Sequence, residues 1–227
     1  MQAGTVSEAA SVASASARKP RILALHGYRT SAQARADVVY LDSPTPATGP
    51  PYPDVKQFFT PPFYEWWDAV EDPVTSTFEY RGCESSIAFL AEHIRKNGPF
   101  DGWMGFSQGG SLLATVLLLQ QQGKLQQDIT PPAFCILIAS SPNRDPRYTP
   151  LFQPGSITTP CCLMMGDTDT QQARVEGLVG CCSGPLVLRH ARGHLVPRLD
   201  DRQQELLGQF MLGSHAVLPH LHPSAPS

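Results

Sequence analysis

A serine framed by glycines, an aspartate past a later apolar run and a histidine past the next are the residues here whose types and order could do chemistry. The serine is Ser107, in Gly105-Phe-Ser107-Gln-Gly109, a G-x-S-x-G match. In a nucleophile elbow, such a serine sits on a strained strand-to-helix turn that lifts its hydroxyl clear of the sheet. A side chain at either glycine would collide where strand and helix cross. A serine hydroxyl is a poor nucleophile near neutral pH and needs a base within hydrogen-bond reach. Histidine suits that task because its pKa lies near the operating pH. A carboxylate then fixes the tautomer and steadies the imidazolium. His194, after Gly193, is the candidate base, and Asp169, in Gly166-Asp-Thr-Asp169, the candidate acid. Asp167 on the same turn competes for that role; Asp169 is favoured because it sits farther from the strand. His26 is a rival base, but it precedes Gly27 at a strand end and reads as a packed loop residue. Each residue also has a plain structural reading, with Ser107 as a helix N-cap and Asp169 and His194 as loop residues.

An acyl transfer also needs donors for the tetrahedral oxyanion. The backbone N–H of Gln108 is one candidate. The loop His26-Gly-Tyr-Arg29 should supply the other, with Tyr28 as the residue named. The pair Trp66-Trp67 lies in an aromatic cluster, and such residues serve a core as readily as a site.

Short apolar runs separated by helical patterns must position these groups. Arg21–His26, Asp37–Asp42, Phe100–Phe106, Ala133–Ala139, Pro160–Met165 and Leu186–Arg189 read as buried strands. Residues 80–84 open a helix with apolar Ile87, Leu90, Ala91 and Ile94 at helical spacing, stopped by Asn97-Gly98-Pro99. Ser111–Leu119 predicts a buried helix, Gln171–Val179 a weak one and Asp200–Leu212 a closing one. The segment 44–80 shows no regular period. Continuous apolar strands alternating with helices predict an α/β fold, a mostly parallel sheet with helices on both faces. Function in such sheets gathers past the carboxyl ends of the strands, where Ser107, Asp169 and His194 all fall.

At 227 residues the chain is one domain with tails, and its net charge of −3 gives no nucleic-acid footprint. No apolar stretch is long enough to span a membrane. The six cysteines form no C-x-x-C and read as reduced thiols of a cytoplasmic protein. Residues 1–19 are Ala/Ser-rich without an apolar h-region, so a disordered leader is expected rather than a secretory signal; an organelle transit peptide is the weaker alternative. The hydrolase-like body is expected over 20–212, with a disordered tail over 213–227 whose histidines are solvated rather than metal ligands.

Taken together, several motifs resemble the FSH serine hydrolases, the esterases related to the ovarian cancer-associated gene 2 protein. They are Leu23–Ser31, Tyr64-Glu-Trp-Trp67, Arg81-Gly82 with Glu84-Ser85, Gly98–Gly102 with Gly105–Gly109, Gly166–Asp169 and Gly193-His194. The order Ser…Asp…His is also that of the α/β-hydrolases. The resemblance implies an α/β-hydrolase fold without a large lid, no cofactor, and hydrolysis of a small-molecule acyl ester or thioester. It also implies Ser107, Asp169 and His194 as nucleophile, acid and base, with Trp66 and Trp67 near the acyl pocket. One departure stands out. Only Gly27–Ala36 separate His26 from the second strand, so the first crossover helix is expected to be missing or shortened. Two alternatives follow: a catalytically impaired binding protein of the same fold, and an acyl-protein thioesterase sharing the GFSQG elbow. The oligomeric state is not legible.

Overall fold

The structure, a computed structural model, describes residues 21–27, 38–51, 60–125 and 128–213. The expected leader, all of the tail after Gly213, and Tyr28 with the rest of the segment through Ala36 lie outside the described residues.

Six strands form one parallel sheet: β1 (Ile22–Leu25), β2 (Val38–Leu41), β5 (Gly102–Phe106), β6 (Phe134–Ile138), β7 (Cys161–Gly166) and β8 (Leu186–His190). Their order is β2-β1-β5-β6-β7-β8. The chain goes from β1 to β2 on one side of β1, while β5 pairs on its other side and leads on to β6. The order therefore reverses between β1 and β5, and the crevice past their carboxyl ends is the switch point where open α/β sheets hold ligands. β1 and β2 pair in parallel from Ile22↔Val38 to Leu25↔Leu41, so residues 26–37 complete this crossover.

Side chains alternate between two apolar layers because successive strand residues face opposite ways. Leu23, Leu25, Trp103, Cys135, Leu137, Cys161 and Leu163 face one layer, covered by α1 (Cys83–Asn97), α2 (Gln108–Gln121) and α3 (Gln172–Cys181). Phe134, Ile136, Ile138, Cys162, Met164 and Leu188 face the other, where α4 (Asp201–Met211) packs through Phe210. On that second face Ile22, Met104 and Phe106, on or beside the switch point, are only partly buried. The helix α2 is buried on all sides from Gly109 to Leu118, as its unbroken apolar run requires. All six cysteines are buried free thiols. Burial pushes the Cys83 thiol up to about 11 and that of Cys162 up to about 12.

Two expectations are corrected. Residues 80–81 do not open α1. They close an antiparallel hairpin, β3 (Asp68–Glu71) with β4 (Phe78–Arg81), and Gly82 at φ 89° turns the chain into the helix at Cys83. The segment 44–80 is therefore not wholly irregular.

Candidate active site

Ser107 follows β5 directly and precedes α2. Its backbone stands at φ 52°, ψ −116°, a region non-glycine residues rarely occupy and one that stores strain. Neighbouring contacts hold it there. Ser107 N–H donates to Ile138 O at 2.8 Å, tying the turn to β6. Ser111 Oγ donates to Ser141 O at 2.6 Å, tying the first turn of α2 to the loop after β6. A Cβ on Gly105 would lie 2.5 Å from Gly110 N, and one on Gly109 would lie 2.3 Å from His26 O. Both glycines of the motif are thus required by close approach.

The hydroxyl of Ser107 lies 2.9 Å from His194 Nε2, and His194 Nδ1 lies 2.8 Å from Asp169 Oδ2. Two loops make this possible. The turn after β7 and the loop after β8 pack on each other: Asp167 N–H donates to His190 O at 2.8 Å, and a Cβ on Gly166 would lie 2.1 Å from Arg192 O. The carboxylate of Asp169 is inaccessible, while the His194 side chain is 28% exposed, open enough to meet a substrate. Gln171 N–H donates to Asp169 Oδ1 at 2.8 Å, so that oxygen is occupied and Oδ2 faces the imidazole. The fixed carboxylate makes Nδ1 the donor and leaves Nε2 as an acceptor for the serine proton. The ring of Phe106 sits 5.2 Å from that of His194.

Asp167 goes elsewhere. It pairs with Arg189 Nε at 2.8 Å on the surface. The His26 imidazole takes no part in this hydrogen-bonded line. It is buried, accepts from Ser43 N–H through Nε2 at 3.0 Å and donates through Nδ1 to Gly27 O at 2.7 Å. Burial holds its pKa below the usual histidine value, so it is a neutral packed ring. Gln108 is the first residue of α2, and its N–H is one of the first-turn donors that lack an intrahelical acceptor. Tyr28 lies outside the described residues.

The tryptophans lie in the core. Trp66 is 0% exposed and Trp67 is 7% exposed, both within the core layer of α1 and α2. In this arrangement the Trp66 ring has no accessible surface, and Trp67 keeps only a small exposed part. Their backbone instead pairs with the Gln108 side chain, as Trp66 N–H donates to Gln108 Oε1 at 2.9 Å and Gln108 Nε2 donates to Trp67 O at 2.7 Å. Sequence reasoning missed the side chain of Gln108, the Gln171 N–H on Asp169 and the Phe106 ring. Phe106 alone carried a signal, as the residue just before the serine in the motif.

A parallel α/β sheet with a strained serine at its switch point, hydrogen-bonded to a histidine that a buried aspartate orients, defines the class of α/β-hydrolase-fold serine hydrolases. The sequence agrees: residues 15–206 match the family described as serine hydrolase (FSH1), and the chain belongs to that family. It is 29% identical over 222 residues to Esterase OVCA2 of Xenopus tropicalis, covering 84% of this chain and 93% of that protein. Its identity to Esterase OVCA2 of Homo sapiens is 29% over 225 residues, covering 85% and 96%. Among solved structures, acyl-protein thioesterase 2 of Zea mays aligns with a TM-score of 0.54 at 15% identity, over 86% of this chain and 93% of that one. A carboxylesterase from Mesorhizobium loti aligns with a TM-score of 0.54 at 16% identity, over 86% and 88%. At such identities these two speak for the fold alone.

Proposed function

We propose that the chain hydrolyses carboxylic esters or thioesters of acyl chains through an acyl-enzyme on Ser107. The observation that carries this reading is the continuous hydrogen-bonded line from Ser107 Oγ through His194 to Asp169 Oδ2. In the reaction, Ser107 Oγ attacks the acyl carbonyl while His194 Nε2 takes its proton. The developing oxyanion accepts from Gln108 N–H and from a second donor, for which the sequence offers Tyr28 N–H. Collapse breaks the bond to the alcohol or thiol, which receives the proton from His194. Water, deprotonated by the same nitrogen, then attacks the acyl-enzyme; collapse breaks the acyl–Oγ bond, His194 returns the proton to Ser107 Oγ, and the acid is released. Asp169 stays ionised throughout and keeps the imidazole in the productive tautomer.

Activity on p-nitrophenyl esters of increasing chain length, lost in Ser107→Ala, is the expected result. The short 26–37 connection favours one alternative, a ligand-binding protein of this fold with a disabled oxyanion site. A folded protein that turns over no ester of any chain length would decide for it. The reading carries a cytoplasmic location with it, since six buried free thiols suit a reducing compartment; fluorescent tagging tests that.

A further inference from the structure

We infer that Gln108, Trp66 and His26 form a clamp of positioning residues that holds the start of the oxyanion loop against the nucleophile elbow. The inference rests on the esterase reading above and concerns how its two oxyanion donors stay in register.

Parallel crossovers are ordinarily anchored by a helix, and residues 26–37 are close to the shortest connection that can join parallel neighbours. The start of this loop is fixed from outside the connection instead. The Gln108 amide pairs with both Trp66 N–H and Trp67 O, a fit that only a group with one donor and one acceptor can make. The indole of Trp66 donates through Nε1 to His26 O at 3.0 Å. The same ring stacks on the His26 imidazole, with centroids 5.1 Å apart and planes 26° apart. On its far side His26 accepts from Ser43 N–H, and Ser43 Oγ donates to Glu65 O at 2.6 Å, one residue before Trp66. His26 O also lies against Gly109 in the first turn of α2. The peptide entering the loop is therefore wedged between the indole and the helix end that presents Gln108 N–H.

This geometry gives the three side chains a role in kcat. An oxyanion hole works only if both donors point at one position, and an ångström of misplacement can cost about 100-fold in rate. The three side chains are distinct from the backbone N–H that meets the oxyanion, so loosening them should leave ground-state binding alone.

The test uses Gln108→Met, which keeps the length and removes both hydrogen bonds, and Trp66→Phe, which keeps a stacking ring and removes the donor to His26 O. Steady-state kinetics on a p-nitrophenyl ester, affinity for a trifluoromethyl ketone and deuterium exchange of the 22–27 peptide are measured on both variants and on wild type. The expected result is a fall in kcat of about tenfold or more, KM within about twofold, a matching loss of ketone affinity and faster exchange in 22–27. Unchanged exchange overturns the clamp. Faster exchange with unchanged kcat overturns its catalytic role, and so does a raised KM at constant kcat. An inactive wild type sinks the esterase reading instead, and the exchange arm then decides the clamp alone. Gln108 is only half buried, so Gln108→Met carries the test if Trp66→Phe does not fold.

Discussion

Replacing Asp169 by Asn tests the orientation of His194 at a single atom. Asp169 Oδ1 already accepts from Gln171 N–H, and Oδ2 accepts from His194 Nδ1. An asparagine has one oxygen and one NH2. Its oxygen stays with the Gln171 N–H, because the opposite choice sets two donors against each other in a buried place. The NH2 then faces Nδ1 and forces the imidazole into the tautomer that carries its proton on Nε2. That nitrogen now donates to Ser107 Oγ and cannot accept its proton. In a triad this wrong-tautomer change lowers kcat about 10⁴-fold, which corresponds to about 5 kcal/mol of lost transition-state stabilisation. Asp167→Asn is the matched control. It removes a surface pair with Arg189 whose side chains are 47% and 44% exposed. Such a pair contributes at most about 1 kcal/mol to stability, and kcat should stay within about twofold, since an exposed pair outside the hydrogen-bonded line has little leverage on the barrier. The assay is steady-state hydrolysis of a short p-nitrophenyl ester, with circular dichroism to confirm folding. If Asp169→Asn keeps more than about a tenth of wild-type kcat, less than 1.4 kcal/mol is lost, and the tautomer argument is wrong. A comparable loss in Asp167→Asn would reassign the acid.

Three other outcomes follow from the same contacts. Gly109→Ala puts a methyl 2.3 Å from His26 O, backbone that cannot swing away, and should lower the urea midpoint by an amount equivalent to about 1–3 kcal/mol; an unchanged midpoint contradicts the packing described. Gly180→Ala, in α3 with open space around its Cα, should raise the midpoint, by about 0.5–1 kcal/mol. Burial depresses the His26 pKa in the folded state, so the unfolded chain binds the proton more readily. Its contribution to stability is therefore complete above the unfolded value of about 6.5 and is lost as pH falls below it. Thermal melts should show His26→Gln losing less stability than wild type between about pH 7.5 and 5.5, and an equal loss in both proteins would place the acid sensitivity elsewhere.

Much of this arrangement was legible because it depends on local pattern. The runs Ile22–Leu25, Gly102–Phe106 and Pro160–Met165 contain no charged residue, as strands covered on both faces require, and the glycines flanking Ser107 mark a close crossing. The hairpin β3–β4 was not legible. Its strands are short and largely exposed: Asp68–Glu71 carries no alternation, and the alternation of Phe78-Glu-Tyr-Arg81 spans only four residues. Asp167 and Asp169 lie on one turn, and only Arg189 across the neighbouring strand and the N–H of Gln171 separate their roles. Two adjacent tryptophans look alike whether they line a pocket or fill a core. Their fate is set by an amide 41 and 42 residues away. The same long-range dependence hid the clamp, since neither Gln108 nor His26 announces its partners in sequence.

The central claim is that Ser107 is a nucleophile activated by His194. Incubation with a fluorophosphonate, followed by intact-mass and peptide analysis, tests it most directly. The account predicts one phosphonyl adduct per chain, located on Ser107, absent in Ser107→Ala and formed far more slowly in His194→Gln. No adduct on the folded wild-type protein, or equal labelling of Ser107→Ala, would contradict it.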